Sequence, residues 1–274
     1  MKIKPEEAAG QAPTPVAGAQ AVRRALAVLR AVASGAPRHG VRLKDVVEQV
    51  GLNAATAHRL LRVLVEEGAV DYDPVGRRYR SGKEVFLLGM SRPGYFPIRS
   101  VAEPYLLRLA ETTGETIFLI VAGQRDTVIL DRKVGTGPVQ VLSVEVGARL
   151  PMGIGSAGIA LLAGMAPEQA DVVMRANASR YAARGLTVAR VREGVRLARE
   201  LGYALLDPGL HPGTRSVSVL IPGPDGSPAA TLSLSSIGYR LPPTRVASIV
   251  ATMQDAARQI AARLGKEQRQ RSRE

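Results

Sequence analysis

At 274 residues the chain is long enough for two compact domains, since a single domain holds about 100 to 150 residues. Its 37 Lys and Arg against 24 Asp and Glu give a net charge of +13, which favours a polyanionic partner such as nucleic acid. The absence of cysteine excludes disulfides, thiolate catalysis and Cys-ligated zinc, and His39, His58 and His211 match no metal spacing, so no metal or cofactor is expected. No apolar run approaches the ~20 residues that span a bilayer, nor is there a secretory leader, which predicts a cytoplasmic protein with no membrane partner.

Residues 1–20 are rich in Ala, Pro, Gly and Gln without apolar periodicity and are expected to form a disordered arm. A helix is predicted from Ala21, with Val22, Leu26, Leu29 and Ala33 on one stripe, then a loop from Ser34 to Gly40. Leu43, Val46, Val47 and Val50 mark a second helix that stops at Gly51-Leu52. Asn53 then supplies an N-cap for a third, whose Ala57, Leu60, Leu61 and Leu64 form an apolar face and which Gly68 closes. Two short strands, Ala69 to Tyr72 and Arg77 to Arg80, flank the turn Asp73-Pro74-Val75-Gly76. Three helices and a hairpin over 21–82 predict a winged helix-turn-helix.

Residues 83–98, broken by Pro93-Gly94 and Pro97, read as a linker. A mixed α/β domain is expected over 99–265, making the whole chain α+β in class. Its strands are placed at Glu115 to Ala122, Asp126 to Arg132, Val139 to Val144, Tyr203 to Leu206, Ser216 to Ile221 and Ala229 to Ser235. After a helix through Tyr105 to Leu109, further helices start at Ser156, Pro167, Ala189 and about Pro243, the last stopping at Gly265. Residues 266–274 read as a frayed basic tail.

With the apolar stripe of the third helix turned inward, its opposite side presents Ala55, His58, Arg59 and Arg62. In a helix-turn-helix this is the helix that enters the major groove. Asn53, Thr56, His58, Arg59 and Arg62 are therefore the candidates for base and phosphate contact. In the hairpin, Arg77, Arg78 and Arg80 around Tyr79 are placed for the flanking backbone or minor groove. Each arginine taken singly also fits a solvated surface; the three-helix spacing, hairpin and one-sided charge together favour double-stranded DNA as partner.

Gly153-Ile154-Gly155-Ser156-Ala157-Gly158 precedes a helix, and a helix N-terminus offers N–H groups to an anion such as a carboxylate. Gly153, Gly155 and Gly158 also have GxGxxG spacing, which raises a nicotinamide-dependent oxidoreductase as an alternative. Against it, Gly147 to Pro151 separates the glycines from a preceding strand, and no acidic residue ends a second strand about 20 residues on. Ile154 occupies the position of the leading glycine of a nucleophile elbow, and a triad of Asp207, His211 and a serine is better explained by chance, so no catalytic residue is assigned. A ligand-independent architectural protein is a third reading, which the size of the second domain disfavours.

The runs RALAVLRAVAS and LKDVVEQVGLNAATAHRLLRVLVEEGAVDYDPVGRRYRSGKEVFLLG resemble the DNA-binding half of the IclR family of transcription regulators. The resemblance continues in order through LAETTGETIFLIVAGQRDTVILDR, VGARLPMGIGSAGIALLAGM, RELGYALLDPGLHPGTRSVSVLI and AATLSLS, nearly the whole chain beyond the arm. It implies a non-enzymatic regulator that binds a small-molecule effector and forms a homodimer, often paired into a tetramer, on a palindromic or repeated operator near the genes it controls. It also implies an effector pocket at Leu150, Gly155, Ser156, Ala157, Ser216, Ser233 and Ser235, positions that packing of a helix on a sheet would equally explain. The chain departs from the family pattern at Leu206, Pro208 and Gly209, where acidic residues are usual, at Ser216 for a frequent Cys, and at Gly153 and Ile159 for larger polar residues. Fewer charges and a missing side chain at Gly153 predict a bulkier, more apolar ligand, an aromatic or extended organic acid.

Overall fold

The computed structural model describes residues 19–35, 40–90, 97–142 and 144–271; the predicted N-terminal arm and His39 lie outside them, apart from the arm's last two residues. The chain divides into two compact units at Ser91 and Arg92.

The first unit contains α1 Gln20–Ala33, α2 Leu43–Val50, α3 Ala54–Glu66, β1 Val70–Asp73, β2 Arg78–Ser81 and α4 Lys83–Met90. Val28, Ala31, Val32, Val46, Leu61, Val70 and Tyr79 fill its core. The inward stripe of α1 differs from that predicted: Val22 and Leu26 are exposed, and the buried positions follow Val28, Ala31 and Val32. Gly51 ends α2 at φ +66°, a left-handed conformation that glycine adopts without steric cost. The Asp73 carboxylate accepts from the amides of Val75 and Gly76 and shapes the turn between β1 and β2. Val41 exchanges two backbone hydrogen bonds with Tyr79, so the segment before α2 adds a rung to the hairpin. Within the expected linker, residues 83–90 are helical, and the apolar run Val85 to Leu88 belongs to α4, which packs beside β1.

The second unit is built on a six-stranded sheet in the order β5-β4-β3-β8-β7-β6, every neighbouring pair antiparallel. The strands are β3 Thr116–Ala122, β4 Asp126–Lys133, β5 Arg149–Pro151, β6 Ala204–Leu206, β7 Thr214–Pro222 and β8 Pro228–Ile237. Helices α5 Pro97–Thr113 and α10 Pro243–Arg271 cover one face; α6 Gly155–Gly164 covers the other, backed by α7 Pro167–Ala176 and α9 Val188–Leu201, with the short α8 Ala178–Ala182 between them. Two expectations fail. The edge strand is Arg149–Pro151, whereas the described residues of 139–144 carry no strand. Gly135, Gly137 and Pro138 precede that stretch, and the Gln140 amide donates to the carbonyls of Gly114 and Gly137, fixing an irregular path. The last helix also runs past Gly265 to Arg271, because one glycine costs a helix only about 1 kcal/mol and the surrounding residues are good helix formers.

The sheet has two chemically distinct faces. Ile117, Leu119 and Val121 of β3, Val217, Val219 and Ile221 of β7 and Ala230, Leu232 and Leu234 of β8 pack against α5 and α10 in one apolar core. The alternate residues, Phe118 and Ile120, Ser216 and Ser218, and Thr231, Ser233 and Ser235, lie on the face toward α6. That second face holds the cavity described next.

Candidate nucleic-acid interface and ligand cavity

On α3 the side-chain oxygen of Asn53 accepts from the Thr56 amide at 2.8 Å, satisfying one of the helix's unbonded N–H groups. Ala57 and Leu61 are buried, which leaves Asn53, His58, Arg59 and Arg62 exposed and Thr56 half-buried. Arg62 has a long, solvent-exposed pairing with Glu66 at 3.5 Å, a weak contact that leaves its guanidinium accessible. The hairpin divides its arginines. Arg77 and Arg80 are exposed, and Arg77 sits at the turn with φ +51°, uncommon outside glycine. Arg78 is half-buried and donates to the Gly40 carbonyl at 3.1 Å, tying the hairpin to the segment before α2. Beneath them Tyr79 packs on Tyr72 with ring centroids 4.8 Å apart. The predicted residues thus lie on α3 and the hairpin, with Arg78 already engaged structurally.

In the second unit all seven residues expected around a ligand come together. Leu150, Gly155, Ser156, Ala157, Ser216, Ser233 and Ser235 line one small chamber of about 30 Å³, closed by Phe118, Ile120 and Ile129. Among the described residues the chamber lining carries no charged side chain. Two of its hydroxyls are linked through a third behind the lining: Ser156 Oγ lies 2.7 Å from Ser218 Oγ, which lies 2.6 Å from Ser233 Oγ. Ser218 is fully buried and was not foreseen, although the Ser-Val-Ser-Val alternation of β7 puts it on the same face as Ser216. Ser216 is also buried, and its Oγ has no hydrogen-bond partner among the described residues. A buried hydroxyl left without a partner is costly.

Next to the chamber is a larger cavity of about 730 Å³, sharing Val144, Leu150, Ile154, Gly155 and Leu210 as walls. Leu206, Pro208 and Gly209 line it as well, so the departures from acidic residues at these positions face this space. The expectation about Gly153 is corrected. A Cβ there would lie 2.5 Å from Tyr181 Oη and 2.7 Å from Val191 Cγ1, at φ +103°, so the space that a side chain would fill is already taken. Tyr181 is fully buried, donates to the Met152 carbonyl, and burial pushes its hydroxyl pKa up to about 12. A Cβ on Gly158 would come within 2.5 Å of the Gly153 amide nitrogen. The glycines therefore let α6 and its preceding loop approach closely, which accounts for their spacing without a dinucleotide. Asp207 and His211 reach the larger cavity, but the Asp207 carboxylate is paired with Arg215 rather than with the histidine.

Two family models match, the IclR helix-turn-helix domain over residues 21–74 and the bacterial transcriptional regulator IclR C-terminal domain over 94–262. The acetate operon repressor of Salmonella typhimurium is 28% identical over 90% of both chains. The HTH-type regulator XynR of Escherichia coli is 28% identical over 90% of this chain and 97% of its own. Among solved structures, an IclR transcriptional regulator from a Silicibacter species superposes with a TM-score of 0.72 at 27% identity, covering 89% of this chain and 96% of that one. Both halves of the chain match, in order, models of a regulator rather than an enzyme, which sets the oxidoreductase reading aside. With a helix-turn-helix domain followed by a sheet whose hydroxyl-bearing face meets a glycine-initiated helix, the chain belongs to the IclR family of DNA-binding transcriptional regulators.

Proposed function

We propose that this regulator is a repressor that senses a small organic acid, aromatic or otherwise extended, and controls nearby genes for its breakdown. The observation that carries the reading is the buried, partnerless Ser216 hydroxyl in an uncharged chamber that opens beside a cavity of about 730 Å³. That volume suits a compound larger than a two- or three-carbon keto acid. The N-terminus of α6 places its first N–H groups at Gly155, Ser156 and Ala157, a favourable end for a carboxylate. Operator contact is assigned to Asn53, Thr56, His58, Arg59 and Arg62 of the α3 region and to Arg77 and Arg80 of the hairpin, with Arg78 bracing the wing. Relatives named as repressors, of the acetate operon in Salmonella and AllR in Escherichia coli, support the direction of control. An IclR homologue from Microbacterium hydrocarbonoxydans, 24% identical and alike in fold, was solved with 4-hydroxybenzoate. The working unit is a homodimer or a dimer of dimers. Ligand binding shifts operator affinity by a coupling free energy of about 1 to 3 kcal/mol. Fluorescence anisotropy against the gene's own upstream DNA and a scrambled duplex, with and without aromatic acids, tests this. Selective binding that an acid weakens supports it, whereas equal binding to both duplexes, or a response to glyoxylate and pyruvate alone, overturns it.

A further inference from the structure

The larger cavity differs from the inner chamber in carrying charge, and its charges are unequally occupied. Glu193 and Asp207 line it, yet both are neutralised by arginines outside the lining: Arg196 grips both oxygens of Glu193, at 2.9 and 2.7 Å, and Arg215 pairs with Asp207. Arg196 also holds the Glu193 carboxyl below its usual range. Arg184, just beyond α8, and Arg190, in the first turn of α9, line the same cavity; among the described residues neither side chain makes a hydrogen bond or salt bridge, and the Arg190 charge acts on Glu193 only from a distance, as a lesser cause of its lowered carboxyl pKa. The same lining also contains the apolar side chains Leu186, Val191, Leu197 and Leu205, together with Leu210, which it shares with the chamber.

Resting on the reading that this cavity takes the effector, we infer that the effector carries anionic groups at both ends: a carboxylate head at the α6 N-terminus, an apolar middle, and a second anionic group held by Arg184 and Arg190. Three observations support this division: the chamber lining has hydroxyls and no charged side chain, the larger cavity has apolar side chains in its wall, and Arg184 and Arg190 line that larger cavity and not the chamber. A guanidinium binds carboxylate or phosphate through parallel N–H donors, so either group at the far end fits.

Calorimetric titration of the full-length protein with straight-chain and aromatic dicarboxylates of increasing length, the monomethyl ester of each and the matching ω-phosphono acids tests the inference. At the best length the doubly anionic compound binds at least about tenfold tighter than its monoester, the ratio expected from one added charge-assisted contact. The tighter of diacid and phosphono acid names the far group. An Arg184→Gln/Arg190→Gln double variant brings the dianion down to the monoester's affinity, and Arg184→Lys/Arg190→Lys retains most of the preference, which separates a charge effect from misfolding. Equal binding of dianion and monoester to the unaltered protein overturns the inference while leaving acid sensing intact. Binding of none of these compounds overturns both.

Discussion

Ser218 Oγ lies 2.7 Å from Ser156 Oγ and thereby joins β7 to the first turn of α6 through two fully or nearly fully buried hydroxyls. Replacing Ser218 with Ala leaves Ser156 without its bond and removes one from Ser233, for an expected loss of about 1 to 3 kcal/mol in urea denaturation. Ser216→Ala removes a hydroxyl that has no partner, so stability without ligand stays level or rises while effector affinity falls. The opposite ranking of the two variants in denaturation would refute the hydroxyl chain as a strut.

The cap of α3 separates folding from recognition. Asn53→Ala costs about 1 kcal/mol of stability in the N-terminal unit, and Asn53→Asp keeps the cap. If Asn53 also lies against phosphate, the aspartate variant is as stable as the parent in thermal melts yet binds operator more weakly in anisotropy titrations.

The wing arginines are expected to behave unequally. Arg77→Ala and Arg80→Ala each reduce the slope of log affinity against log salt by about 0.9, the loss of one phosphate contact, and leave the melting temperature unchanged. Arg78→Ala lowers the melting temperature because it releases the Gly40 carbonyl. A uniform effect of the three on the salt slope would show that Arg78 leaves its intramolecular bond when DNA is present.

Tyr181 makes the effector domain alkali-sensitive in a defined window. Its hydroxyl is raised from 10.0 to about 12 by burial, so the folded state retains a proton that the unfolded state gives up. The contribution is complete below pH 10 and is lost as pH rises toward 12, with a limiting slope of about 1.4 kcal/mol per pH unit. Tyr181→Phe sacrifices the bond to Met152 at neutral pH but shows a shallower decline across that window in denaturant titrations.

What was legible in the sequence follows from where local chemistry decides structure. Asn53, the apolar face of α3 and the turn around Asp73 are short-range signals, and the winged motif emerges from them directly. The seven chamber residues were identified by resemblance, and β7 and β8 bring them together through a register that pairs Ser216 with Ser235 and Ser218 with Ser233. The failures are tertiary. Nothing local distinguishes Val139 to Val144 from a strand, since its irregular path depends on Gln140 bonding to Gly114, far back in the chain. Gly153 looked like spare volume because Tyr181 and Val191 are 28 and 38 residues away in sequence and adjacent in space. Arg184 and Arg190 had no motif to mark them.

The two-faced sheet has a consequence for how such a sensor changes its specificity. Along β7 the residues that face α6 and the residues that hold α5 and α10 alternate one by one, and the same is true of β8. A substitution at 216, 233 or 235 changes the lining of the chamber without altering the volume of the opposite core. A one-residue slip, in contrast, would drive the serines into that core and is strongly resisted. Recognition can therefore drift on alternate letters of a strand while the scaffold stays constant on the others.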